Sequence, residues 1–216
     1  DWEPLVDYRR HDVSENTVHG AVSWFSGDQQ IHSFGGNVLC YGRSMMKPFY
    51  IKVFAKELEP ETNWKQRAIS IASHNGSYEH IDAAQSLLSE GEWGLMQTPL
   101  DLPLVQFGRQ VRRPRRWFNN SSGHHAAILL GCRLKGWNRA GYTLPSHQVF
   151  AAYMDLVRGY LGEDFKPHRI ARDGDGLPTV SMTVNQLAKC YAGLAKNKDE
   201  DWIWESMIKE PDLVGG

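Results

Sequence analysis

Ser44 stands three residues before Lys47 in Gly42-Arg43-Ser44-Met45-Met46-Lys47-Pro48. On a helix this spacing puts both side chains on one face, about one turn apart. A lysine amine kept neutral by partial desolvation can take a hydroxyl proton. The serine oxygen can then attack a carbonyl, which is the Ser-Lys form of nucleophilic catalysis. The same residues also fit an N-cap serine followed by a solvated lysine, so the spacing alone leaves both readings open. Pro48 disfavours a helical Lys47 but is tolerated in a first helical turn. Ser44 is therefore expected at a strand-to-helix junction, where a nucleophile is readily exposed.

Three further clusters carry polar chemistry. Ser73-His74-Asn75-Gly76 joins a hydroxyl, an imidazole and an amide at a helix end. Asn120-Ser121-Ser122-Gly123-His124-His125-Ala126 precedes a very apolar run. Two hydroxyls and a helix N-terminus converge there, an arrangement suited to a carboxylate or an oxyanion. Asp173-Gly174-Asp175-Gly176-Leu177-Pro178-Thr179 sets two acids on a tight turn. Each cluster alone also reads as an ordinary cap or turn. His124, His125, Asp173 and Asp175 offer nitrogen and oxygen ligands for zinc or another divalent ion. No H-E-x-x-H pattern is present, and Asp-Gly-Asp-Gly lacks the bidentate glutamate of a calcium loop.

The elements that must position these groups follow from periodicity and punctuation. Residues 19–25 and 30–41 read as extended segments around a turn at Ser26-Gly27-Asp28. Helices are expected over 45–58, 63–73, 78–89, 123–132, 146–160, 183–195 and 201–210. Residues 90–114, rich in Gly and Pro, read as a long ordered loop. The expected division is a sheet hairpin over 1–43 followed by a mainly helical part with the active-site loops over 44–216. An α/β sheet with so few strands needs more of them, from later chain or from a partner.

Composition narrows the function classes. The chain has 216 residues, 41% hydrophobic, enough for one compact domain or a large and a small lobe. With 24 basic and 25 acidic residues it lacks the charge excess expected of a nucleic-acid or anionic-membrane binder. The basic cluster Arg109-Gln110-Val111-Arg112-Arg113-Pro114-Arg115-Arg116 reads as a solvated loop or subunit contact. Cys40, Cys132 and Cys190 sit among apolar residues without a C-x-x-C pair, as reduced, buried side chains of a cytoplasmic protein do. No apolar run reaches membrane length and no signal peptide is visible.

Together these motifs resemble the rhizobial-type (type II, Ser-Lys) L-asparaginase family. Tyr41 to Phe49 is similar to the family's Y-x-R-S-x-x-K-P-F/L, and Ala72 to Gly76 with His80 to its A-S-H-x-G-x-x-x-H. Asn120 to Ala126 is similar to N-C-S-G-K-H-A, and Asp173 to Thr179 to D-G-C-G/S-x-P-x. Glu15 with His19-Gly20 and the stretch from Leu144 to Phe150 complete six places in the family's order. The resemblance implies a serine β-lactamase or glutaminase-like α/β fold, with the C-terminal strands missing from this chain. It also implies an amidohydrolase forming an acyl-enzyme on a small, asparagine-like amide.

By the same resemblance Ser44 and Lys47 are catalytic, and Ser73 belongs to a second Ser-Lys pair. His74, Asn75, Ser121, Ser122, Gly123, His125 and Asp173 are then expected around the substrate. The resemblance further implies that this chain covers about the first two thirds of a family member. A second chain, from proteolytic processing after Gly215-Gly216 or separately encoded, is expected to supply the remaining third within a homo- or hetero-oligomer.

The family's zinc ligands fall at Ser121, His124 and Asp175, so both thiolates are replaced. The expectation is no cofactor, with weak zinc or another divalent ion on His124 and Asp175 as the alternative. Tyr50 stands where the family has glutamine. An amide-forming acyl or aminoacyl transferase and an inactive asparaginase-like subunit are the alternatives in function.

Overall fold

A computed structural model describes residues 1–103 and 113–215. Arg109 and Arg112 of the basic cluster, part of the 90–114 loop, and Gly216 lie outside the described residues. The chain opens with two antiparallel hairpins, β1 (Glu3–Arg10) with β2 (Val13–Gly20) and β3 (Val22–Ser26) with β4 (Gln29–Phe34). β5 (Leu39–Tyr41) leads through a 3-10 turn, Arg43–Met46, into α1 (Lys47–Lys52) and α2 (Ala55–Leu58). Then come α3 (Trp64–Ile71), α4 (Tyr78–Gln85), α5 (Ser122–Leu134) and α6 (Gln148–Leu161). β6 (Ile170–Arg172), β7 (Pro178–Thr183), α7 (Val184–Lys196), α8 (Ile203–Lys209) and α9 (Pro211–Gly215) complete the order. The architecture is mixed α/β.

Helix starts follow the polar caps. Asn63 and Gln66 form a reciprocal capping box at α3, and Thr183 and Gln186 form one at α7. Thr183 ends β7 and caps α7, so the strand runs directly into the helix. Asn185 on α7 accepts from Gln30 (3.0 Å) and Ser33 (2.9 Å), which ties the second hairpin to that helix.

α5 is the centre of the helical body. Its residues from Ser122 to Cys132 are all buried, and α3 and α4 pack on it. Close approach to α3 requires Gly123. A Cβ there would lie 2.6 Å from Ile69 Cγ1 and 2.7 Å from the Ile69 carbonyl oxygen. Gly123→Ala is expected to destabilise the protein by about 1–3 kcal/mol, the usual cost of overpacking against groups that cannot retreat. Gly91→Ala, where nothing lies within 4 Å, should leave the free energy of urea unfolding within about 0.5 kcal/mol of wild type. Equal shifts for the two variants would refute the close-approach account.

The three-stranded sheet departs from the expected pattern. β5 does not continue β4. The chain turns at Gly35, whose φ of +64° suits glycine, and β5 pairs antiparallel with β7. The order is β5-β7-β6, with β7 in the middle and five of its six residues buried. β7 lies directly behind the Asp173–Leu177 turn and carries a proline at its first position, where a strand tolerates one.

The expected helix over 45–58 is broken at Val53-Phe54 into α1 and α2, and the one over 78–89 ends at Gln85. The β1–β2 hairpin, exposed along nearly all of both strands, was not expected. Cys132 and Cys190 are buried, whereas Cys40 on β5 is half-buried. No helix among the described residues is long and apolar enough to cross a membrane.

Candidate active site

β5 and β7 bring the S-x-x-K segment to the acidic turn. Past the Tyr41–Ser181 pair, Gly42 N donates to the Val180 carbonyl (3.4 Å) and Arg43 N to Thr179 Oγ1 (3.2 Å). Arg43 has φ +46°, an uncommon conformation for a residue with a side chain and one found at functional turns. The turn leaves Ser44 exposed at the rim of a small cavity. Its lining includes Arg43, Ser44, Lys47, Tyr50, His124, Tyr153, Asp173, Asp175 and Thr179, with about 10 Å3 of room for the centre of a water-sized body.

Lys47 opens α1, with Pro48 in the first turn. Its side chain points inward and is 4% exposed. Nζ donates to the Ala72 carbonyl at 3.1 Å and meets Ser73 Oγ at 2.8 Å. No hydrogen bond joins Ser44 to Lys47 among the described residues; they share the cavity wall. Burial pulls the Lys47 pKa down to about 8, and the charges of Asp175 and Asp173 offset only part of that pull. The neutral form is therefore a minority near neutrality and grows as pH rises through about 8.

The loop that carries Ser73 is pinned by His74. His74 N donates to the Asn120 carbonyl (3.0 Å), and Gly76 N donates to His74 Nδ1 (3.1 Å). Nδ1 being an acceptor, Nε2 carries the proton and donates to Ser122 Oγ at 2.8 Å. The Ser122 hydroxyl in turn donates to the Trp117 carbonyl (3.1 Å). Burial first, then His80 and Lys47, lower the His74 pKa to about 3, so the ring is neutral. His74 and Ser122 thus clasp each other under the site. Asn75 Oδ1 accepts from Ser77 N and His80 Nδ1, each at 3.0 Å, and stays within its own turn.

The acidic turn is built on Asp173. Its Oδ1 accepts from the backbone N–H groups of Asp175 (3.0 Å), Gly176 (2.9 Å) and Leu177 (2.9 Å). Burial and the neighbouring Asp175 charge raise its pKa, and these three bonds pull it back. The Ser121 hydroxyl donates to Asp175 Oδ2 at 2.6 Å and links the turn to the start of α5.

His124 Nδ1–H donates to the Ser70 carbonyl (2.7 Å), and burial holds its pKa well below the usual histidine range. His125 Nδ1 meets Tyr142 Oη at 2.7 Å, and that oxygen also accepts from Gln97 N (3.0 Å). Burial, then Lys47, lowers the His125 pKa to about 3.

The tertiary structure therefore gathers Ser44, Lys47, His124, Asp173 and Asp175 around one cavity. Ser73 joins them through Lys47, and Ser121 through Asp175. His74, Asn75, Ser122, Gly123 and His125 lie in the framework beneath. Tyr50, Tyr153, Thr179 and the Ala72 carbonyl are site groups that sequence reading did not assign. Thr179 fell inside a recognised motif and Tyr50 at the end of another, where the family has glutamine, whereas Tyr153 is an aromatic residue on a helix.

The zinc position implied by resemblance does not fit the groups present. The Ser121 hydroxyl is occupied as a donor to Asp175, which leaves His124 and Asp175 as two ligand-capable side chains. Tetrahedral zinc takes three or four protein ligands. The Ser121–Asp175 hydrogen bond joins the two segments that a metal would otherwise bridge.

The family model described as L-asparaginase II matches residues 6–216. A search of the curated proteins returns no match.

Proposed function

The chain belongs to the L-asparaginase II family, and from that premise we propose that it is a Ser-Lys amidohydrolase acting on an asparagine-like side-chain amide. The observation that carries the mechanism is Lys47, buried, lowered to about 8, lining the cavity with Ser44 and bonded to Ser73. Ser44 Oγ attacks the amide carbon while neutral Lys47 takes its proton. The ammonium of Lys47 then protonates the amide nitrogen as the C–N bond breaks, leaving ammonia and a Ser44 ester. Lys47, neutral again, deprotonates the water that hydrolyses the ester. Ser73 relays protons to and from Nζ and holds it in place. A helical body beside an antiparallel sheet, with S-x-x-K entering a helix from that sheet, supports the serine β-lactamase-like class.

A second reading exchanges the two hydroxyls. It is favoured by the 2.8 Å contact of Lys47 with Ser73, against none with Ser44. Covalent labelling separates the readings. The native assembly is treated with a mechanism-based asparagine analogue, digested, and its labelled peptide identified by mass. Label on the Ser44 peptide is the expected result. Label on the Ser73 peptide makes Ser73 the nucleophile, and label on neither refutes the amidohydrolase reading.

A further inference from the structure

His80 on α4 is not among the described residues that line the cavity, yet it bonds to the loop that carries Ser73. Its ring is buried, at 3% exposure. Asn75 Oδ1 accepts from Ser77 N, so the imidazole nitrogen facing it at 3.0 Å, Nδ1, carries the proton. That proton is shared with Ser77 Oγ at 2.7 Å. Burial lowers the His80 pKa and keeps the ring neutral, with its one proton on Nδ1. The same ring stacks on His74, with centroids 5.5 Å apart and planes 19° apart.

Starting α4 does not require this ring. Ser77 Oγ already accepts from His80 N at 3.3 Å as the helix cap. The ring adds a grip on the two residues that follow Ser73, on His74 by stacking and on Asn75 by a hydrogen bond. His74 is held from its other side by Ser122 and the Asn120 carbonyl. Ser73 lies between His74 and Ala72, whose carbonyl accepts from Lys47 Nζ. Its own hydroxyl meets Nζ at 2.8 Å. With His74, Asn75 and Ser77 fixed, Ser73 has little freedom, and a displacement of about 1 Å would break its bond to Nζ.

We propose that His80 is a positioning residue, holding Ser73 Oγ against Lys47 Nζ through its Nδ1–H bonds to Asn75 and Ser77. The inference rests on the Ser-Lys reading for its effect on turnover, though not for the placement of Ser73 itself. The donor atom makes the claim specific. An asparagine at position 80 sets an amide N–H near the place of Nδ1. A glutamine sets it near Nε2, out of reach of Asn75.

The test compares His80→Asn, His80→Gln and Ser73→Ala in the native assembly. It is read first without turnover, by NMR of isotope-labelled lysine side chains, with the Lys47 signal assigned from Lys47→Met. The Lys47 ammonium loses an acceptor when Ser73 moves, so its titration midpoint should fall by about half a pH unit or more. His80→Gln and Ser73→Ala should give the same fall, and His80→Asn should keep the wild-type midpoint. Asp173, Asp175, His74, His124 and His125, whose charges act on Lys47 or feel it, are the same in all three variants. In turnover, His80→Gln should lower kcat about 10–10^2-fold with KM nearly unchanged, and should add no loss to Ser73→Ala. His80→Asn should stay near wild type. A midpoint unmoved in His80→Gln, an equal fall in His80→Asn, or losses that multiply in the double variant overturn the proposal. Should His80→Gln fail to fold, Asn75→Ala, which removes the acceptor, takes its place with the same expected fall. An unmoved midpoint leaves the Ser44 label untouched. Absent label with the expected midpoints instead refutes the hydrolase reading alone.

Discussion

Lys47→Met in the native assembly is expected to lower kcat by about 10^3–10^4-fold while stabilising the fold at neutral and acid pH. The catalytic loss follows from removing the buried amine that bonds Ser73 and lines the cavity with Ser44. The stability gain follows from burial. The folded lysine titrates near 8 against 10.5 for the ordinary side chain, so the unfolded state holds the proton more tightly. Wild-type stability therefore rises with pH between about 8 and 10.5, and below 8 the buried ammonium carries its full cost. That cost is about 3 kcal/mol, reduced in the variant by the lost bonds to Ala72 and Ser73.

Urea unfolding at pH 6 and pH 10 should show the advantage of the methionine variant at the lower pH and its near disappearance at the higher. The wild-type pH–rate profile should have a rising limb centred near 8. A variant that keeps more than a tenth of wild-type turnover, or a wild-type profile flat from pH 7 to 9, would remove Lys47 from the role of base.

Ser44→Ala and Ser73→Ala should separate by about two orders of magnitude. Loss of the nucleophile removes the acyl-enzyme altogether, so Ser44→Ala is expected to fall by about 10^4-fold or more and to show no burst of released ammonia. Ser73→Ala keeps the nucleophile and the base but loses the 2.8 Å partner of Nζ. A fall of about 10^2-fold with the burst retained is expected, the size of a general acid–base contribution. The reverse order of effects would transfer the nucleophile to Ser73.

Much of the site was legible locally because its chemistry is packed into short segments. Ser44 and Lys47 are three residues apart, and Pro48 allowed only a first-turn lysine, which is where α1 begins. Asn63 and Thr183 marked helix starts because a side-chain cap and its backbone donor lie within three residues. The α5 run announced a buried helix through its composition alone. β1, β2 and β7 escaped. β7 is buried along both faces and pairs with β5, distant in sequence, so the burial of its polar residues Thr179 and Ser181 is set by the packed fold.

The sequence by itself therefore determined the residue types, their local spacing and most helix positions. The tertiary structure decided which groups meet. Lys47 turns toward Ser73, twenty-six residues away, because α1 and α3 pack together and bring the end of α3 beneath Nζ. Asp173 and Asp175 reach Ser44 because β7 pairs with β5. His124 and Tyr153 line one cavity only because α5 and α6 place them there. Burial also lowers the Lys47 pKa, and desolvation belongs to the packed surroundings of a side chain, which no four-residue motif contains.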